Sequence, residues 1–117
     1  MKQYQKLKNP VEFRRVRHEG KSYAHPFIIL FAKENNSAIL RIGVTAEHHI
    51  GGAVQRNKAK RLLRAAVAPL MQDIKTGYDL VLLGRRPILN QKSQQVQKIL
   101  AERLLIGELL NKNELSK

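Results

Sequence analysis

The stretch Gly51-Gly52-Ala53-Val54-Gln55-Arg56-Asn57-Lys58-Ala59-Lys60-Arg61-Leu62-Leu63-Arg64 carries five cationic side chains and no acid. At about 100° per residue, Arg56, Lys60 and Arg64 fall at i, i+4 and i+8, with Asn57, Lys58 and Arg61 beside them on one broad polar arc. Ala59, Leu62, Leu63, Ala66, Val67 and Leu70 occupy the opposite arc. The pattern predicts an amphipathic helix with its apolar stripe on a core and its cations in water. Gly51-Gly52 supplies a flexible entry. No Glu or Asp occurs between Gly51 and Gln72, so a polyanion from outside must relieve the repulsion. Phosphates suit this role, because Arg offers a planar fork, Lys a point charge, and displaced counterions drive binding. A merely solvated helix face is the bland alternative, and the missing acids weigh against it.

Working outward, the helix is expected from about residue 53 to about 74, with a kink or break at Pro69, which lacks an amide donor and crowds the carbonyl of Ala65. Thr76-Gly77 ends it. Tyr78-Asp79-Leu80-Val81-Leu82-Leu83-Gly84 reads as a strand closed by Arg85-Arg86-Pro87. Upstream, residues 38 to 45 form a strand with Leu40, Ile42 and Val44 on one side and Arg41, Gly43 and Thr45 on the other. Strand, helix, strand makes a crossover unit.

Residues 23 to 32, β-branched and aromatic with Pro26 near the beginning, predict the first strand. Phe27, Ile29 and Phe31 share one face, Ile28 and Leu30 the other, so both faces are expected to be covered. Glu34-Asn35-Asn36-Ser37 is a turn, and the two strands pair most simply as an antiparallel hairpin. An opening helix starts at Asn9-Pro10-Val11-Glu12, where Asn9 caps, Pro10 fits the first position and Glu12 stands where a capping-box acid would. Gly20 stops it. The last helix carries Val96, Ile99, Leu100, Arg103, Leu104 and Leu110 on helical spacing, with Ser93 as its cap. Residues 1 to 8 and 111 to 117 read as mobile tails, the first of them free to lie along a partner. The expected architecture is α+β: one small sandwich in the order α-β-β-α-β-α, with a mainly antiparallel sheet.

At 117 residues the chain has the size of one domain, enough to bury roughly two-thirds of its unfolded surface. Twenty-two Lys and Arg against nine Asp and Glu give a formal charge of +13, which points to nucleic acid before an anionic membrane. No apolar run reaches the roughly 18 residues of a spanning helix, so the protein is expected in the cytoplasm. The absence of Cys excludes disulfides, thiolate-zinc sites and cysteine nucleophiles. His18, His25, His48 and His49 lack the spacing of a metal pair. The acids are scattered and read as surface charge, leaving no carboxylate cluster for Mg²⁺, and Ser22, Ser37 and Ser93 lack an elbow-like glycine context. Autonomous catalysis is therefore not expected. Phe13, Phe27 and Phe31 form a candidate face where the opening helix meets the sheet; left open beside Arg56 and Asn57, it would resemble the stacking-plus-cation surfaces that hold single strands.

Arg56-Asn57-Lys58-Ala59-Lys60-Arg61-Leu62-Leu63-Arg64 is similar to the arginine-rich helix of the bacterial ribonuclease P protein subunit. Phe13-Arg14-Arg15-Val16, Gly20-Lys21-Ser22, Arg41-Ile42-Gly43-Val44-Thr45, Tyr78-Asp79-Leu80-Val81 and Arg86-Pro87 stand in that family's order, so residues about 10 to 105 are covered. The resemblance implies a ribosomal-protein-S5-domain-2-like fold with a left-handed βαβ crossover, an exception to the usual hand. It implies a subunit without catalytic residues of its own, whose RNA partner uses Mg²⁺ to remove the 5′ leader of precursor tRNA. Arg56, Asn57, Lys58, Lys60, Arg61 and Arg64 would then contact the catalytic RNA. Phe13, Ile29, Phe31 and Thr45, with Arg17 where a second aromatic often stands, would line a cleft for the leader, and neither DNA nor membrane would be a partner. Lys58 replaces an Arg of the motif and loses its bidentate fork, and His48-His49 stands where two Lys are frequent, which ties local charge to pH. A ribosomal-protein-like RNA-binding module with no catalytic partner is the competing reading of the charge; a leader cleft separates the two.

Overall fold

The computed structural model describes residues 4–111. The elements are β1 (Tyr4–Lys6), α1 (Pro10–Glu19), β2 (Lys21–Ala24), β3 (Ile28–Glu34), β4 (Leu40–Ala46), α2 (Ala53–Val67), β5 (Tyr78–Gly84) and α3 (Ser93–Ile106), with 3-10 turns at Ala68–Asp73 and Arg86–Asn90. The strands form one sheet in the order β1-β4-β5-β3-β2. The α+β class stands, but the sheet is mixed: β1 with β4 and β4 with β5 are parallel, β3 with β5 and β2 with β3 antiparallel.

β3 and β4 do not form the expected hairpin, because β5 lies between them. Its run from Asp79 to Gly84 is buried at every position, and so continuous an apolar strand belongs in the middle of a sheet with both faces covered. The chain entering β5 is wedged between the neighbouring strand ends. Gly77 accepts from Asn35 N–H at 3.0 Å and donates to the Ile39 carbonyl at 3.1 Å; its φ of +87° is one that glycine adopts without strain.

The single first strand expected over 23 to 32 is two strands, β2 and β3, joined by a turn at His25-Pro26-Phe27. Proline has no amide to donate to a ladder, and the turn closes around it: His25 N–H donates to the Ile28 carbonyl at 2.8 Å and Phe27 N–H to His25 Nδ1 at 3.1 Å. Tyr4–Lys6, assigned to a mobile tail, adds a parallel edge strand. Leu7 after it is buried, and its N–H donates to the Ile42 carbonyl at 2.9 Å. The tail expectations for residues 1–3 and 112–117 lie outside the described residues.

The helix boundaries follow local chemistry. Asn9 Oδ1 accepts from Val11 N–H at 2.8 Å, with Pro10 in the first turn. Gly20 ends α1 with an extended backbone rather than a left-handed one. Its glycine is required by proximity, since a Cβ there would lie 2.5 Å from the Ala32 carbonyl oxygen. α2 ends at Val67, and Pro69 falls within the 3-10 turn that follows. Ser93 is the first residue of α3, not its cap; Lys92 holds that place without a side-chain bond.

One sheet face carries the main core, where Ala59, Leu63, Ala66 and Val67 of α2 and Val96, Leu100 and Leu104 of α3 pack on Leu30, Leu40, Leu80 and Leu82. Among the described residues the other face carries only α1, through Val16 on Val81 and Leu7, with Phe13 and Phe31 at the margin. Ten residues of helix do not cover a five-stranded face. The expectation that both faces of β3 are closed is therefore corrected: Ile28 and Leu30 are fully buried, whereas Ile29 and Phe31 are half-buried beside an open cleft.

Candidate nucleic-acid interface

α1 is fixed to the sheet by a chain of charge. Arg41 on β4 donates through Nε and Nη2 to both oxygens of Asp79 at 2.7 and 2.6 Å, and through Nη1 to Glu12 of α1 at 2.8 Å. Asn35 Nδ2 adds a bond to Asp79 Oδ1 at 2.8 Å. Asp79 is 6% exposed, and a bidentate fork is the geometry that lets a carboxylate leave water. The bond to Asp79, foremost, raises the Arg41 pKa above its ordinary value. Glu12 and Asp79 are thus not the plain surface charges expected. Glu12 spends its carboxylate on Arg41, and the pair sets the height of α1 above β4.

The uncovered sheet face forms a trough of two joined depressions. The first, about 710 Å³, is bounded by Lys8, Phe13, Arg14, Arg17, His18 and Lys60 among others. The second, about 670 Å³, runs past Ile29 to His48, His49 and Arg56. Arg17, Phe31, Thr45 and Lys60 border both. All five residues expected in a leader cleft therefore meet here. The Arg17 guanidinium lies 5.8 Å from the Phe31 ring centroid, a cation–π distance. Glu47, the one carboxylate among the described residues that border the trough, is held by Arg85 at 3.2 Å.

Phe27 does not join this face. It sits in the β2–β3 turn, where strand alternation no longer applies, packs toward the main core and meets the His25 ring edge-on at 4.9 Å. Phe13 is seated by a residue that the motif contains but whose role was not foreseen: a Cβ on Gly43 would lie 2.3 Å from Phe13 Cζ. A glycine inside a strand is the usual sign of such an approach. Lys8, Arg14 and His18 were likewise missed, since their place beside the cleft depends on how α1 docks.

The basic arc of α2 divides. Four residues advance about 400°, so each step from Arg56 to Lys60 to Arg64 turns roughly a further 40° around the axis. Arg56 and Lys60 border the trough, and Arg56 Nη1 also donates to the Gly51 carbonyl at 2.8 Å. Arg64 borders a different depression beside β1, and Asn57, Lys58 and Arg61 are exposed to solvent. The six residues form a belt rather than one patch. No helix among the described residues is long and apolar enough to cross a membrane.

Fold and site define a class: small, strongly basic α+β domains that set a cationic helix beside an aromatic-floored cleft. A family model described as ribonuclease P matches residues 1–106. The chain belongs to the ribonuclease P protein family. The ribonuclease P protein component of Oceanobacillus iheyensis is 35% identical over 118 residues, spanning 100% of this chain and 97% of that protein. That of Chloroflexus aurantiacus is 40% identical over 87 residues, which cover 74% of this chain and 64% of that protein. Among solved structures, the RNase P protein of Staphylococcus aureus superposes with a TM-score of 0.78 at 26% identity, covering 91% of this chain and 97% of the other.

Proposed function

We propose that this chain is the RNA-binding subunit of a cytoplasmic ribonuclease P, seating the catalytic RNA on the cations of α2 and the single-stranded 5′ leader of precursor tRNA in the trough. The observation that carries the reading is the continuity of the Arg17–Phe31 pair with Lys60 and Arg56, which joins the open cleft to the basic helix. Stacked aromatic and guanidinium surfaces hold unpaired bases without demanding a sequence, which suits leaders that differ between transcripts. Lys and Arg along the rim would take the phosphates.

Hydrolysis would belong to the RNA, with Mg²⁺ bound there. The carboxylates around α1 and the trough are already engaged, Glu12 and Asp79 sharing Arg41 and Glu47 holding Arg85, and no group of three or more acids or histidines among the described residues could hold a metal ion, whereas Mg²⁺ takes free oxygen ligands in near-octahedral array. The protein residues bind and orient.

The test is precursor-tRNA cleavage at low Mg²⁺ by a bacterial ribonuclease P RNA, with and without this chain, the chain alone serving as control. Cleavage at the mature 5′ end only when both are present supports the reading. Binding without any gain in cleavage would leave a general RNA-binding module in its place. Arg56→Ala and Arg61→Ala should each lower the slope of log affinity for the RNA subunit against log salt by about one; an unchanged slope removes that residue from the contact.

A further inference from the structure

Between the basic helix and β1 lies a further depression of about 460 Å³. Its floor is apolar, built by Ile42 of β4, Val67 at the end of α2 and Met71 of the following turn; its rim is Lys6, Lys8 and Arg64, and no carboxylate among the described residues borders it. Tyr4, 42% exposed on the edge strand, stands at its mouth. The break at Pro69 makes the hollow. A continued α-helix would carry the chain on past the sheet, whereas the 3-10 turn brings Met71 back and leaves small, exposed Ala68 on the wall. Lys8 and Val44 border both this depression and the trough, so the two sites adjoin across one ridge.

An apolar hollow of this size ringed by three cations fits a flat, apolar-faced ring that bears an anion. A nucleobase with its phosphate has that chemistry; a neutral apolar peptide would leave the cations unanswered. We propose that this depression receives one unpaired nucleotide of the RNA subunit, its base on Met71 and Val67 beside the Tyr4 ring and its phosphate against Lys6, Lys8 or Arg64. The proposal rests on the RNA-subunit reading above. It adds to the cationic belt a base-capturing contact whose stacking and burial do not depend on counterion release, beside a single phosphate contact that does.

Ala68→Phe fills the hollow from an exposed position and removes no charge. With a wild-type thermal transition as the check on folding, it should weaken binding to the RNA subunit by about tenfold, in line with the loss of one stacked base, and lower the salt slope by no more than about one, the share of a single phosphate contact. Arg64→Ala should weaken binding and flatten the slope. In the assembled holoenzyme, RNA subunit containing 4-thiouridine should crosslink on irradiation to a peptide bearing Tyr4 or Met71. Wild-type affinity for Ala68→Phe, with crosslinks confined to the trough or the exposed face of α2, overturns the proposal while the RNA-subunit reading stands. Failure of the wild-type chain to bind the RNA subunit overturns both. A dimer of the free chain that Ala68→Phe dissolves would give the hollow to a second copy and also overturn it.

Discussion

Gly43 supports Phe13, and Phe13 walls the trough, so the smallest possible substitution there should be felt twice. Gly43→Ala would drive a methyl into the ring, and overpacking of this kind costs about 1–3 kcal/mol, readable by urea denaturation. If the trough holds the leader as proposed, the displaced ring should also weaken precursor-tRNA binding; wild-type stability and affinity would show that Phe13 moves aside freely. His25 is a different kind of lock. Burial, with Arg103 adding to it and Glu102 opposing, lowers its pKa, and its Nδ1 must be unprotonated to accept from Phe27 N–H. A base with a depressed folded pKa favours the neutral form, so its contribution is fully present above the unfolded value and lost as pH falls through that value toward the lowered one. Between about pH 7.5 and pH 5 the wild-type chain should lose more stability than His25→Asn, and the His25 ring signal should titrate below the ordinary histidine value in NMR. Equal losses would release the turn from that dependence.

At the scale of elements, the Glu12–Arg41–Asp79–Asn35 chain joins α1, β4, β5 and the loop after β3. Removing Asp79 strips Arg41 of its bidentate partner and leaves it Glu12 as the remaining carboxylate. Asp79→Ala should cost about 3 kcal/mol, at the low end for such breaks because Arg41 keeps some contact with water. The loss should appear in equilibrium unfolding and be followed by faster amide exchange along α1; unchanged exchange there would mean that Val16 and Phe13 alone hold the helix. α2 shows what periodicity does and does not reveal. Its buried positions Ala59, Leu63, Ala66 and Val67 belong to the expected apolar arc, whereas Leu62 is half-buried and Leu70 falls in the turn beyond, after Pro69 breaks the helix as expected. The split of the polar arc between trough, solvent and the depression beside β1 is invisible in a helical projection, because it depends on where the helix axis crosses the sheet.

For the whole molecule, a formal charge of +13 on 117 residues repels itself in the compact state, and the trough and belt gather part of that charge on neighbouring surfaces. Anions that occupy those surfaces bind the folded chain alone and stabilise it by mass action. Added sulfate should raise the melting temperature by about 5 °C or more, beyond the rise in chloride of equal ionic strength. The extra rise should shrink when Arg17 and Lys60 are replaced by Gln. Identical shifts in the two salts would reduce the effect to general screening.

What the sequence by itself determined is local. The Asn9 cap of α1, the extent of β5, the amphipathic α2 and its end near Pro69 follow from side chains within a few residues of one another, and the net charge is a property of the sequence alone. The motif order also brought Phe13, Arg17, Ile29, Phe31 and Thr45 into view as one candidate cleft. Only the tertiary structure decided that β5 parts β3 from β4, that Pro26 makes two strands of one, that Tyr4–Lys6 is an edge strand, and that Asp79 is buried under Arg41. Each of these depends on which residues distant in the chain compete for the centre of the sheet, and that competition is won by total buried apolar surface, a quantity no local pattern contains.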